Sequence, residues 1–145
     1  MVRLLPLLLA LSLLAGCASV STRERPRADL QNIQRFFVEK RLGDDHRIDE
    51  LIVAELQRHG RTATSGPLTM APDDAEAIVS YNDRWAWDFS TYLIEASLEI
   101  RRARTDKPIA AASYHRAVLS RQTPADAIRV MLDPLFAAPK RPARQ

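Results

Sequence analysis

The chain has 145 residues, of which 46% are hydrophobic, 27% charged and only 6% aromatic. Once a leader is removed, this length leaves room for one compact domain and excludes a second one. Lys and Arg number 21 against 18 Asp and Glu. Several of the basic residues lie in the leader and the C-terminal tail, so the body is close to neutral, which argues against a nucleic-acid partner. The single cysteine excludes an intrachain disulfide framework and a Cys-based zinc site.

Residues 1–16 have the pattern of a secretory signal peptide. Arg3 supplies a positive start, an apolar run follows over residues 4–15, and small residues end it. The run is about a dozen residues long, well short of the ~20 that cross a bilayer as a helix. A buried N-terminal helix is the alternative, but Pro6 interrupts the run and the chain turns polar after Cys17. We therefore predict a leader over residues 1–16.

The end of this leader, Leu14-Ala15-Gly16-Cys17, resembles the bacterial lipobox, whose cysteine is lipidated and becomes the first residue of the mature protein. The resemblance implies that Cys17 carries acyl chains, of which one holds a protein at a bilayer only marginally and two or more hold it stably. In such lipoproteins an Asp after the cysteine marks retention at the inner membrane, and here Ala18 stands in that place. The implied location is the outer membrane, facing the periplasm, with inner-membrane anchoring as the alternative.

Two polar segments flank the predicted domain. Residues 18–32 carry mixed charge and no apolar period, so we predict that residues 17–32 are the lipidated cysteine and a flexible tether, with an end-to-end distance of roughly 20 Å. Residues 139–145 combine two prolines with three positive charges and predict an extended, basic tail. The single globular domain is therefore expected over residues 33–138.

The first half of the domain predicts one strand and one helix. A β-favouring run over residues 33–40 predicts the first strand. Apolar residues at helical spacing then predict a helix from Ile48 to Gly60, with Asp44 or Asp45 as N-cap.

The middle of the domain predicts strands. Residues 61–74 are rich in Thr, Ser, Gly and Pro, which indicates a short strand at most and then a loop. Residues 77–83 predict a strand, and residues 92–102 predict another with one dry face and one wet face. The dry face of this second strand consists of Tyr92, Ile94, Ala96, Leu98 and Ile100.

The last part of the domain predicts a strand and a second helix. A turn sequence follows residue 102, so residues 109–120 form an antiparallel hairpin with the preceding strand. Thr123 then starts a helix as N-cap, with Asp126 three residues later in a pattern similar to a capping box, and Pro139 ends it.

These elements predict an α+β domain in the order strand, helix, strand, strand, strand, helix. The helix between the first two strands favours a right-handed parallel crossover, and the hairpin adds antiparallel strands. The predicted fold is a mixed four-stranded sheet with both helices packed on one face, because each helix has one apolar stripe.

A dense group of polar and aromatic residues, Ser80 to Phe89, contains the best candidate site. Trp85 and Trp87 are two residues apart and project the same way from an extended segment. They predict a binding platform, with directional hydrogen bonds at its rim from Asp83, Arg84 and Asp88. The alternative is structural: one or both rings fill the core at the entrance of the hairpin.

The chain gives no pattern typical of catalysis, and we predict no cofactor, no metal site and no enzyme. His46 and His59 bracket the first helix at about 20 Å, too far apart to share a metal. A weaker alternative is a hydrolase in which His115 acts with Asp83 or Asp88, and it requires those side chains within hydrogen-bond reach.

With its lipobox leader and the stretch YNDRWAWDF, the chain is similar to small lipoproteins of proteobacterial envelopes. That family implies a location and an α+β domain rather than an established activity. The leading hypothesis is a lipid-anchored binding or scaffold module that engages another envelope protein through its sheet and the Trp85/Trp87 region, with a homo-oligomer left open. The alternative is a carrier of a small ligand, either a lipid or a cell-wall fragment, serving a transport system.

Overall fold

The structure, a computed structural model, describes residues 19–24, 28–117 and 120–137. The predicted signal peptide, Cys17 and the predicted basic tail lie outside the described residues. The strands are β1 (Ser19–Glu24), β2 (Arg35–Glu39), β3 (Thr62–Gly66), β4 (Ala77–Asp88), β5 (Ser90–Arg102) and β6 (Pro108–His115). The α-helices are α1 (Ala28–Gln31), α2 (Ile48–Arg58) and α3 (Pro124–Phe136), and a 3-10 turn covers Leu68–Met70.

The six strands of the described residues form one mixed sheet in the order β1-β6-β5-β4-β2-β3. Strand β2 is parallel to β3 and β4, and the other neighbours are antiparallel. The α+β class is as expected, but the predicted four-stranded sheet was wrong because β1 and β3 add a strand at each edge. Their sequences, SVSTRE and TATSG, are mostly small and polar, and they pair through the main chain, which leaves little hydrophobic alternation to detect.

The prediction of a flexible tether over residues 17–32 was also wrong for most of that segment. Strand β1 pairs with β6 along its whole length, and helix α1 follows it. Leu30 of α1 and Ile33, which follows that helix, are buried in the main core. The segment is folded because it satisfies its backbone hydrogen bonds in the sheet and buries these two side chains, although its overall composition is polar.

The main core lies between one face of the sheet and the helices α2 and α3. Fully buried residues from α2 and α3, such as Ile52 and Leu132, pack in the same cluster as Val38, Val79 and Ile100 of the sheet. Side chains alternate across a strand, so the helix-covered face of β4 is formed by every second residue. Both helices therefore pack on the same face of the sheet. The start of the β4–β5 hairpin is held in place from that face.

The opposite face is only partly covered. Phe37 and Ile78 pack there against Ala71 and Ala75 of the β3–β4 connection. Over the remaining strands this face carries small and polar side chains: Ser80 and Asn82 on β4, Ser97 and Glu99 on β5, Ser113 on β6 and Ser21 on β1. A wet face of this kind is ordinary for an antiparallel sheet.

The starts of α2 and α3 differ in how well they match the predicted N-caps. Thr123 and Asp126 form the capping box of α3, which confirms the prediction. At α2 the N-cap position is occupied by Arg47 in a left-handed conformation, without a side-chain cap. Asp44 still serves the helix start, because its carboxylate accepts from the backbone N–H groups of His46 at 3.1 Å and Asp49 at 3.2 Å.

The predicted dry face of the 92–102 strand was wrong at its start. The register between β4 and β5 shifts at Arg84/Trp85, so that Trp85 pairs with Leu93 and Ile94 has no direct partner on β4. This bulge turns Leu93 into the core, while Tyr92 and Ile94 remain half-exposed. Strand β6 also ends at His115 rather than continuing to residue 120.

Candidate functional site

The tip of the β4–β5 hairpin carries two exposed aromatic rings. Asp88 pairs with Ser90, which leaves Phe89 alone at the apex with a φ of 57°. The side chain of Trp87 is 74% exposed and that of Phe89 95% exposed, and their ring centroids lie 6.2 Å apart. A bulky residue is strained in the left-handed region, so this apex holds an aromatic ring where glycine would fit more easily.

Trp85 occupies a different environment from Trp87. It is half-buried, packs against the main core and stacks on the ring of His46 at 3.6 Å between centroids and 23° between planes. Its Nε1 donates to the Asp83 carboxylate at 2.5 Å. This arrangement fits the structural alternative for Trp85, in which the ring closes the core at the hairpin entrance.

The Asp83 carboxylate links the hairpin to the loop that precedes α2. Its side chain is only 10% exposed, and besides Trp85 it accepts a hydrogen bond from the guanidinium of Arg41. The backbone N–H of Arg41 in turn donates to the Tyr81 hydroxyl at 3.4 Å, and that hydroxyl donates to Asp44 at 2.5 Å. Each polar group in this chain of contacts therefore fixes the loop to the sheet.

The same contacts perturb two ionisation equilibria. Burial, followed by the hydrogen bond to Asp44, raises the pKa of Tyr81 well above its ordinary value, so the hydroxyl stays protonated. At Asp44, burial opposes ionisation, but the hydrogen bonds from Tyr81 and from backbone amides outweigh it and lower the pKa. The pair is a neutral donor facing a carboxylate, which suits structural support.

Arg84 lies on the other face of the sheet. It forms an ion pair with Glu95 at 2.6 Å, and Glu95 also meets Nδ1 of His115 at 3.0 Å. The hydrogen bond from Arg84, with help from the charge of His115, lowers the pKa of Glu95. These residues border a shallow depression of about 340 Å³ between β4, β5, β6 and β1, which also includes Ser97 and Ser113.

The structure separates the residues of the hydrolase alternative. His115 is adjacent to Tyr114, which faces the core with Ala96 and Asp83, so His115 and Asp83 point to opposite faces of the sheet. Asp88 is exposed near the hairpin apex. Neither carboxylate is placed to work with His115, whose acidic neighbour is Glu95.

A cluster that the sequence analysis missed joins α2 to α3. Oxygen atoms of Glu55 and Asp133 and a ring nitrogen of His59 lie within 4.8 Å of one another, as in a metal site. The guanidinium of Arg58, however, bonds to both carboxylates and so occupies the position between them. The His59 ring also stacks on Phe136 at 4.9 Å. Because a cation already bridges the acids, this cluster is a helix-to-helix ion network.

The structure thus divides the five predicted site residues. It brings Asp83 and Trp85 into one partly buried contact, leaves Trp87 and Asp88 exposed near the hairpin tip, and places Arg84 on the open sheet face. Sequence reasoning missed Phe89 as a site residue, although an aromatic residue between Asp88 and Ser90 was a usable signal once the turn was located there.

None of the helices in the described part of the chain has the length and hydrophobicity of a transmembrane span.

Comparison with known proteins gives a similar fold but no family. No model of a known protein family matches the sequence, and no curated protein matches it. PelC from Paraburkholderia phytofirmans, solved as a dodecamer, is similar with a TM-score of 0.63 at 17% identity, over 85% of this chain and 100% of the PelC chain. A second crystal form of a PelC variant gives 0.63 at 16% identity, over 84% of this chain.

Two further structures are less similar. A PDZ domain protein from Parabacteroides distasonis has a TM-score of 0.52 at 9% identity, over 81% of this chain and 34% of its own. A minor lipoprotein from Acinetobacter baumannii aligns with a TM-score of 0.33 at 15% identity, over 72% of this chain and 85% of its own, a score too low to indicate a common fold. At these identities the comparisons with PelC and the PDZ domain protein show a common architecture alone.

Proposed function

We propose that the protein is a non-enzymatic scaffold module of the bacterial cell envelope, held at a membrane by acyl chains on Cys17 and assembled from several copies of itself. The outer membrane, with the domain facing the periplasm, is the proposed location, because Ala18 follows the cysteine.

The observation that carries this proposal is the start of the sheet next to the predicted anchor. Strand β1 begins at Ser19, two residues after Cys17, and is paired with β6 from that residue on. Two extended residues span at most about 7 Å. Acyl chains on Cys17 would therefore hold the folded domain directly against the bilayer, as suits a part of a membrane-bound assembly.

Assembly with further copies is supported by two features. The fold is similar to that of PelC, which is a dodecamer. In addition, the described sheet ends in two unlike edges, β1 and β3, neither of which pairs with a further described strand. Contacts between unlike surfaces of identical chains build rings when the rotation closes, and unpaired strand edges are surfaces on which another chain can add.

The contacts of the polar side chains favour a scaffold rather than a catalytic centre. Asp83, Asp44 and Tyr81 are held in contacts between the loop and the sheet, and Glu55 and Asp133 are bridged by Arg58. A catalytic acid or base needs a proton that it can exchange with a substrate. These side chains instead form their hydrogen bonds with neighbouring elements of the fold.

The anchor is tested by comparing the natural protein with Cys17→Ser after expression in a bacterial host. We expect the natural protein to remain in the membrane fraction and its mass to include acyl chains, and Cys17→Ser to appear as soluble periplasmic protein. Identical fractionation and processing of the two proteins would refute the anchor.

Assembly is tested by the mass of the membrane-extracted protein in detergent, measured by light scattering with correction for bound detergent. We expect a multiple of the mass of one mature chain, and a monomer across the accessible concentrations would refute self-assembly. Native mass spectrometry of the same sample distinguishes the carrier hypothesis, because a carrier would retain a small ligand.

A further inference from the structure

We propose that the tip of the β4–β5 hairpin contacts the bilayer to which the protein is anchored, with the rings of Trp87 and Phe89 entering the headgroup region. This inference rests on the proposed lipid anchor and adds a second, non-covalent membrane contact. The proposed binding partner of the exposed aromatic tip is therefore the lipid interface.

The sheet register places the tip and the anchor at the same end of the molecule. Ser19, at the start of β1, pairs with His115 at the end of β6. His115 pairs with Glu95 of β5, and Glu95 pairs with Arg84 of β4. These four residues form one row across the sheet. Ser19 of this row follows Cys17 by two residues in sequence, and the hairpin continues from the row to its apex at that end of β1.

The lengths on that side of the row also agree. Five residues separate Arg84 from Phe89, which corresponds to about 16 Å of extended strand. Two residues separate Ser19 from Cys17, or at most about 7 Å. With the strands upright on the membrane, the apex reaches at least roughly 10 Å farther than the lipid attachment point, and a tilt of the sheet shortens this difference. Apolar faces at membrane surfaces are typically buried by about 5–10 Å.

The side chains of the tip suit that depth. Trp is enriched at membrane–water interfaces, where its ring meets the headgroups, and Phe contributes apolar surface. Asp88 lies between them in sequence and projects to the opposite side of the strand from Trp87, where its carboxylate can remain in water. A charged group is unfavourable in the hydrocarbon core, so Asp88 limits the contact to the interface.

Among the described residues, the other exposed large apolar side chains are Val20, Leu42, Leu68 and Met70, and none of them is aromatic. The open sheet face instead carries serines, Asn82 and the ion pair of Arg84 with Glu95. The strained φ of Phe89 also points to the tip, because an aromatic ring that is 95% exposed contributes little packing to the domain. The two rings are placed for contact with something outside the fold, and the anchor brings the bilayer to them.

The test uses the full lipidated chain in vesicles of phosphatidylethanolamine and phosphatidylglycerol, with and without brominated acyl chains that quench nearby tryptophan. Trp85→Phe leaves Trp87 as the reporter, and Trp87→Phe leaves Trp85 as the matched control. We expect brominated vesicles to reduce the emission of Trp87 by about half, as for a ring at the interface, and to change that of Trp85 little. If Trp85→Phe fails to fold, the natural protein compared with Trp87→Phe gives the same quantity by difference.

Flotation of the protein with the vesicles separates the two proposals. Flotation without quenching of Trp87 would overturn the tip contact and leave the lipid anchor standing. Failure to float would overturn the anchor and, with it, the tip contact. A second copy is the other candidate occupant: if Trp87 is shielded from aqueous acrylamide without vesicles in protein that carries both Cys17→Ser and Trp85→Phe, self-association covers the tip and the lipid contact is wrong.

Discussion

Replacing Tyr81 with Phe removes one hydroxyl from the contact between the sheet and the loop before α2. That hydroxyl donates to the Asp44 carboxylate at 2.5 Å and accepts from the Arg41 backbone at 3.4 Å. Hydrogen bonds to charged groups contribute about 1.5–3 kcal/mol. Asp44 keeps its backbone donors at His46 and Asp49 in the variant, so we expect the free energy of unfolding to fall by about 2 kcal/mol at neutral pH.

Tyr114→Phe is the matched control for this substitution. Tyr114 is 3% exposed, as is Tyr81, and lies on the same face of the sheet. Its hydroxyl donates to the neutral side chain of Gln122 at 2.9 Å. A hydrogen bond between neutral groups contributes about 1 kcal/mol, without dependence on pH in the acid range. The two variants therefore differ in the charge of the acceptor.

The pH dependence of the Tyr81→Phe effect has a defined sign. The pKa of Asp44 is lowered in the folded protein from its ordinary value of 3.8. Its ionised form therefore contributes stability that is present in full above pH 3.8 and is lost as the pH falls through the folded pKa. Loss of the Tyr81 hydroxyl raises the folded pKa. The difference in the free energy of unfolding between the variant and the natural protein is therefore constant near neutral pH and becomes smaller below pH 3.8.

Urea unfolding followed by far-ultraviolet circular dichroism, at several pH values from neutral to about pH 3, measures both variants. We expect the Tyr81→Phe deficit to shrink toward that of Tyr114→Phe in acid. Equal deficits for the two variants at every pH would refute the charge-assisted hydrogen bond.

The remaining predictions use the same unfolding assay. Leu132→Ala, at a fully buried position of α3, should lower stability by about 2–5 kcal/mol because it leaves a cavity in the main core. Thr123→Ala removes the capping box and should lower stability by about 1 kcal/mol. Trp85→Ala should lower it by about 1–3 kcal/mol, whereas Trp87→Ala should stay within about 0.5 kcal/mol, and equal effects would contradict their different burial. Phe89→Gly should raise stability by about 1 kcal/mol, because it relieves the left-handed strain while the ring that it removes is 95% exposed.

Sequence reasoning found the elements that bury apolar side chains. Helices α2 and α3 and strands β2, β4, β5 and β6 all came from hydrophobic periodicity or β-favouring runs, because each places a face on the core. Strands β1 and β3 could not be found in this way, since their pairing depends on main-chain groups that every residue carries. The sequence pattern also could not show that Leu93, and not Ile94, lies in the core. A bulge shifts the period by one residue, and its position depends on the partner strand.

The candidate site shows a related limit. The rule that residues two apart share a strand face relates Trp85 to Trp87, but it does not give the point at which the helices stop covering that face. Trp85 lies where His46 and the core still reach it, and Trp87 lies beyond them. Whether a ring is core or surface is therefore decided by the distance of each residue from the end of the helical layer.

Phe89 is the position at which local stability and the inferred membrane contact favour different residues. A left-handed apex favours glycine, and an aromatic ring exposed over 95% of its surface packs little against the domain. Phe89→Gly should therefore stabilise the domain and weaken its contact with the bilayer, the opposition expected when a residue serves binding rather than folding. If the variant were both more stable and unchanged in the quenching of Trp87 by brominated lipid, the ring at the apex would have no part in the membrane contact, which would then rest on Trp87 alone.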